Sequence, residues 1–175
     1  MMEGCKDFKT ERLAKHNQNK RYMKHLILIV AMMFFELNSI KAQTSLRTKQ
    51  FNIEKGIAIQ EYDPVAYFIS GKAIKGNKSI AATVEGIAYY FSSQKNKDLF
   101  MKDPKKFEPQ YGGWCAYAMG AVNDKVEIDP ETFKIIDGKL YLFYHTWTNN
   151  TLSKWNEDER NLKTKADKNW NAIYK

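Results

Sequence analysis

Cysteine is nearly missing from this sequence. The chain of 175 residues has 2 cysteines and 3 histidines. Cys5 lies in a polar N-terminal stretch, so Cys115 is the one thiol left to a folded domain. A lone thiol makes no internal disulfide, which excludes a disulfide framework. The same scarcity leaves no paired metal-ligand spacing. There is no phosphate-cradling glycine loop, no nucleophile-elbow motif, no internal repeat and no low-complexity tract. Charge of one sign is not concentrated either. Residues 1–42 carry 8 Lys+Arg against 4 Asp+Glu, and the remainder carries 20 against 16. The lysines after position 42 are interleaved with Asp and Glu, as on an ordinary solvated surface, which argues against the basic stripe of a nucleic-acid binder. No apolar run reaches the ~20 residues that span a bilayer.

Apolar and aromatic material is plentiful, at 43% and 14% of residues. That is enough to pack the core of one domain with extensions. The N-terminal region reads as a targeting segment. Met23-Lys24-His25 precedes ten apolar residues, Leu26 to Phe35, and Ala42 precedes polar Gln43. A basic start, an apolar run and a small residue before a polar one form a secretory signal over 23–42, with cleavage after Ala42. Residues 1–22 then read as a mis-set translation start or a disordered extension. The competing reading keeps the signal uncleaved as an N-terminal membrane anchor. No cysteine comes just after the apolar run, so a lipid-anchored cysteine is not indicated.

Residues 43–56 read as a linker or leading strand, and 57–175 as the domain. Asp63, Pro64 and Gly71 suit the cap, first turn and exit of a short helix over Pro64 to Ser70. Ser79–Val84 and Ile87–Phe91 flank Glu85-Gly86 as a hairpin, its second strand apolar on both faces. Ser92-Ser93 caps a helix from Gln94 to Lys102, which Pro104 ends. A second helical turn covers Asp103 to Phe107. Asp137-Gly138 joins strands 133–136 and 139–144 through a two-residue turn. That strand is expected to end at His145, on one face with Tyr141 and Phe143. The remainder reads as helical, with Asn156 and Glu159 as a capping pair and Leu162, Ala166, Trp170 and Ile173 as the buried stripe. Trp147, Trp155 and Trp170 are expected to clamp these helices onto the core. The fold class is therefore α+β: a small antiparallel sheet of hairpins, short helices, and a C-terminal helical segment packed on it.

The stretch Tyr111-Gly112-Gly113-Trp114-Cys115-Ala116-Tyr117-Ala118 stands at the centre of this reading. Two glycines allow a positive-φ turn or a close approach just before the thiol. A thiol there, walled by Tyr111, Trp114 and Tyr117, is either a core plug or a soft-metal or redox site. Trp114 to Met119 is expected to be a buried helix.

Five blocks in order resemble the exported YHS-domain family of bacteria. They are Glu61-Tyr62-Asp63-Pro64-Val65-Ala66-Tyr67-Phe68, Tyr89-Tyr90-Phe91-Ser92-Ser93, Asp103-Pro104-Lys105-Lys106-Phe107, the stretch 111–118, and Asp137-Gly138-Lys139-Leu140-Tyr141-Leu142. The resemblance covers residues 57–173. It implies a small α+β fold, export to the periplasm or cell envelope, and binding of copper or another soft metal without catalysis. The related heavy-metal modules use several cysteines, whereas this domain offers Cys115. The Tyr-His-Ser signature reads Tyr90-Phe91-Ser92 here.

A soft thiolate suits copper(I) or zinc. Cys115, with Met119 four positions on along a helix and His145 from the strand end, is the candidate donor set. Asp63, Tyr111, Gly112, Gly113 and Trp114 are the candidate structural surround. The alternative is a metal-free binding or scaffold domain of the cell envelope, its partner an envelope protein, with Cys115 packed in the core, where free cysteines are often found. A cysteine hydrolase would need Cys115 hydrogen-bonded to an oriented histidine. Cys115 and His145 permit that, but no spacing favours it.

Overall fold

The computed structural model describes residues 20, 23–26, 28 and 44–174, and the chain divides into two units, Met1–Ala42 and Gln43–Lys175. In the first unit the described residues are helical and exposed. The expected extension over 1–22 and the secretory signal over 23–42 otherwise lie outside the described residues. No helix among the described residues is long and apolar enough to cross a membrane.

The second unit is α+β. Helix α1 occupies 44–50, and strands β1 (Ile53–Glu54) and β2 (Ile57–Ala58) follow it. The segment 43–56, read as a linker or leading strand, thus holds both a helix and the strand β1 within the second unit. Arg47 and Phe51 are buried, which the sequence hid because one turn of cation and one isolated aromatic make no periodic pattern. Next come α2 (Ala66–Ile69), β3 (Asn77–Val84), β4 (Ile87–Phe91), α3 (Gln94–Lys102), α4 (Pro104–Phe107) and α5 (Ala116–Ala121). The chain ends in β5 (Asp129–Ile136), β6 (Lys139–Phe143), β7 (His145–Thr146), β8 (Asn149–Asn150), α6 (Thr151–Glu157) and α7 (Glu159–Ile173). One sheet has the order β1-β2-β4-β3. Its pairings are antiparallel apart from a one-residue parallel contact, Ile57 to Ala88. Strands β5–β6 and β7–β8 form separate two-stranded ribbons.

Local chemistry explains the elements. Ser93 Oγ accepts the Asn96 N–H and caps α3. Asp137 and Gly138, at φ 51° and 69°, make the two-residue turn of β5–β6. Asn150, rather than Asn156, starts the C-terminal helices: its Oδ1 accepts the N–H groups of Leu152 and Ser153. Asn156 and Glu159 instead both accept from the Lys134 ammonium.

Strand β6 divides the core. Its period-2 alternation sends Leu140 and Leu142 into one cluster with Val65, Tyr67, Ile87, Phe91 and Phe100. Tyr141 and Phe143 enter a second cluster with Met119, Trp155, Leu162 and Ala166. On α7 the expected stripe docks through Leu162 and Ala166. Helices α5 and α7 cross closely: a Cβ on Gly120 would stand 2.4 Å from the Leu162 carbonyl oxygen.

Two of the three tryptophans assigned to clamping pack inward, Trp155 fully and Trp170 in part. Trp147 is fully exposed, because it occupies the turn of the β7–β8 hairpin rather than a helix. Strand β6 ends at Phe143, not His145. At Tyr144 the chain leaves the β5–β6 ribbon, so His145 does not share the buried face of Tyr141 and Phe143.

Candidate functional site

The stretch 111–118 faces two environments. Tyr111, Gly112 and Gly113 all have positive φ, at 55°, 61° and 86°, so the turn before the thiol is left-handed through three residues. The glycine pair announced such a turn, while Tyr111 adopts it without a glycine's freedom. Asn52 secures the turn from outside: its backbone N–H donates to Gly112 O at 2.8 Å and its side-chain amide to Gly113 O at 3.2 Å.

Cys115 follows as the N-cap of α5, with φ −57° and ψ 117°. Its side chain is fully buried. Sγ accepts the backbone N–H of Tyr144 at 3.3 Å. The Thr151 hydroxyl donates to Tyr144 O at 2.7 Å, which leaves the thiol as the donor toward Thr151 Oγ1 at 3.4 Å. Tyr144 and Thr151 bracket the β7–β8 hairpin. Cys115 is therefore the polar joint at that hairpin's neck.

The expected donor set is not assembled around this thiol. Because Cys115 sits outside the helix that it caps, the four-residue spacing does not put it beside Met119. Met119 is fully buried in the second cluster and Cys115 in the first. The His145 side chain is half-exposed, with Nδ1 3.0 Å from Thr132 Oγ1 and 3.4 Å from Asp129 Oδ2. Thr132 gives its own hydroxyl proton to Asp129 at 2.9 Å, so His145 Nδ1–H is the donor toward Thr132. Among the described residues, no group of three His, Cys, Asp or Glu side chains could hold a metal ion. The thiol is engaged by backbone and hydroxyl partners, and the imidazole Nδ1 by Thr132 and Asp129. This arrangement does not fit copper or zinc, which need several donors converging at about 2.0–2.3 Å.

The aromatic surround is dispersed too. Trp114 is half-buried and donates Nε1–H to Gln50 O at 2.7 Å. The Tyr111 hydroxyl donates to Asp167 at 2.9 Å. Burial, then the Asp167 hydrogen bond and charge, hold the Tyr111 phenol far above its ordinary range. Asp63 caps as expected, and does more. Oδ1 accepts from Val65 and Ala66 N–H at the start of α2, and Oδ2 accepts from Ser92 N–H, Ser92 Oγ and Asn96 Nδ2. Its fully buried carboxylate joins α2 to α3.

The other side of the 111–113 turn opens on a cavity of about 530 Å³ between α1, the segment 105–112 and α7. Phe51, Tyr111, Trp170 and Tyr174 line it as aromatic walls. Trp170 and Tyr174 stack at 5.3 Å and 9°, and Phe51 packs against both. Arg47 and Glu108 also line it, as a buried two-point ion pair. The Tyr89 hydroxyl donates to the same Glu108 carboxylate at 2.8 Å. Arg47 lies over the Phe51 ring at 4.4 Å. Its Nε is 2.9 Å from Glu85 Oε2, an ion-pair contact outside hydrogen-bond alignment. Burial alone would lower the Arg47 guanidinium, but the Glu108 hydrogen bond and charge outweigh it and hold it above its ordinary value. Burial, with the Glu108 carboxylate beside it, pushes the Tyr89 phenol well up.

Sequence reasoning missed this cavity. Arg47 and Glu108 are 61 positions apart. The one local signal was Trp170 with Tyr174, a helical i, i+4 aromatic pair. No protein-family model matches the chain, and neither a curated protein nor a solved structure shows significant similarity to it.

Proposed function

We propose that this chain is an exported, non-enzymatic and metal-free binding module of the cell envelope, and that its ligand site is the aromatic cavity between α1 and α7. The observation that carries this reading is the composition of that cavity. Four aromatic side chains wall a space of about 530 Å³ that also holds the two-point Arg47–Glu108 ion pair. The volume falls in the ~300–1,000 Å³ range of ligand sites, and the lining is mixed, with Arg47, Glu85, Lys105, Glu108 and Gln110 beside the four aromatic side chains. A buried ion pair carries a desolvation cost and is weak support for stability by itself. Here it holds α1 against the segment after α4 and so fixes the shape of the cavity. The fully buried Cys115 favours a packed thiol over a metal ligand.

Export rests on the basic, apolar and small-residue pattern of 23–42, and on the five blocks that resemble exported YHS domains. The test is a fragment screen on the isotopically labelled full chain, followed by amide and indole N–H resonances. Hits are expected to converge on the Trp170 indole and the Gly112 amide. Hits scattered over other surfaces, or none at all, would overturn the assignment.

A further inference from the structure

Lysine is unevenly placed on the folded unit. Segments 64–79 and 92–107 carry 8 lysines against 2 aspartates, while the rest of 43–175 carries 12 basic against 14 acidic residues. We infer that the corner formed by α2, α3 and α4 docks on an anionic lipid bilayer. This does not depend on the cavity being a ligand site.

The three short helices share an inner seam. Phe68 meets Phe107 edge-on with ring centres 5.4 Å apart, and Phe100 lies 6.4 Å from Phe107. Asn96 donates to the Asp63 carboxylate that starts α2. With these residues turned inward, the outward positions carry charge. Lys95 and Lys102 are exposed on α3, seven positions apart and so on one face of the helix. Lys105 and Lys106 are exposed on α4, and Lys72 just past the exit of α2. The side chains of Lys72, Lys95, Lys102 and Lys105 have no ion-pair or hydrogen-bond partner among the described residues. Their charge is therefore available to an outside anion.

Exposed apolar side chains select the partner. Ile69, 61% exposed, precedes Lys72 by three positions, and Met101, 49% exposed, adjoins Lys102. Lysines beside apolar side chains suit the surface of an anionic bilayer: ammonium groups meet headgroup phosphates, and apolar groups enter the acyl boundary. Nucleic acid is the poorer match. Neither segment contains arginine, whose planar fork reads phosphates and bases. Tyr67, Phe100 and Phe107 are buried and Phe68 packs on Phe107, so the corner offers no platform for base stacking.

The test sediments the full chain with vesicles of phosphatidylcholine, with and without phosphatidylglycerol, at low and high salt. Binding is expected to the anionic vesicles and to weaken at high salt. Lys95→Gln with Lys102→Gln should weaken it about 25-fold, about fivefold per lysine. Lys139→Gln with Lys168→Gln removes the same charge from two other exposed positions and should leave binding nearly unchanged. Ile69→Ser with Met101→Ser should weaken vesicle binding but not any binding of a single-stranded oligonucleotide. No loss in the Lys95 and Lys102 variant, or equal losses in the two lysine pairs, would overturn the inference. Vesicles that do not bind would overturn the lipid partner, whether or not the oligonucleotide binds.

Discussion

A Cβ on Gly112 would lie 2.7 Å from Trp170 Cη2, so the tryptophan that walls the cavity closes on a residue without a side chain. The same Cβ would stand 3.0 Å from the Phe51 ring, at a backbone φ of +61°. Gly112→Ala therefore combines left-handed strain with overpacking, each about 1–3 kcal/mol. Gly138→Ala isolates the strain, since φ is +69° there and nothing lies within 4 Å of the added carbon. Urea denaturation should show Gly112→Ala losing at least twice the stability lost by Gly138→Ala. Equal losses would mean that the wall can shift freely.

The Arg47–Glu108 pair gives a second prediction. Glu108→Gln leaves a guanidinium buried beside an amide, and should cost about 3–5 kcal/mol. Arg47→Met with Glu108→Leu removes both charges and should cost clearly less. The comparison is read from denaturation midpoints. A double variant as unstable as the single one would show that the pair is not coupled.

The two buried-versus-exposed tryptophans should separate sharply. Trp155 is fully buried, and Trp155→Ala should cost about 3–5 kcal/mol. Trp147 is fully exposed at the hairpin turn, and Trp147→Ala should change stability by no more than about 0.5 kcal/mol. A large loss at Trp147 would contradict the placement of the β7–β8 hairpin.

Tyrosine ionisation sets the alkaline limit. Burial pushes Tyr67, Tyr89 and Tyr111 up, and Tyr141 up to about 12, from an ordinary value of 10.0. The folded state thus holds phenolic protons that the unfolded state releases. Stability from these groups is fully present below pH 10 and falls as pH rises toward and past 12. Tyrosinate absorbance from the buried tyrosines should appear together with loss of far-ultraviolet circular dichroism. Their ionisation near pH 10 in a folded protein would contradict the packing.

Much of the fold was legible because its signals were local. Glu85-Gly86 and Asp137-Gly138 announced two hairpins, Ser93 a helix start, and Asp63 a cap. What failed depended on long-range contacts or on a one-residue shift. Arg47 looked like linker charge until Glu108 met it. His145 looked like the end of a strand that turns away at Tyr144. Cys115 and Met119 had helical spacing, but Cys115 caps the helix rather than lying in it, and their side chains separate. The left-handed turn before Cys115 was readable from Gly112-Gly113 in the stretch 111–118. Which of its sides is open was not, because burial of Sγ and exposure of the Trp170 wall both depend on segments more than twenty positions away.

The sealed thiol is the claim most directly open to measurement. Copper(I) and zinc are titrated calorimetrically into the full chain carrying Cys5→Ser, with Cys115→Ser and His145→Ala variants alongside. No site depending on Cys115 or His145 is predicted, and Cys115 should react with a thiol reagent only when the protein unfolds. A submicromolar site abolished by Cys115→Ser, or by the exposed His145→Ala, would contradict the metal-free account.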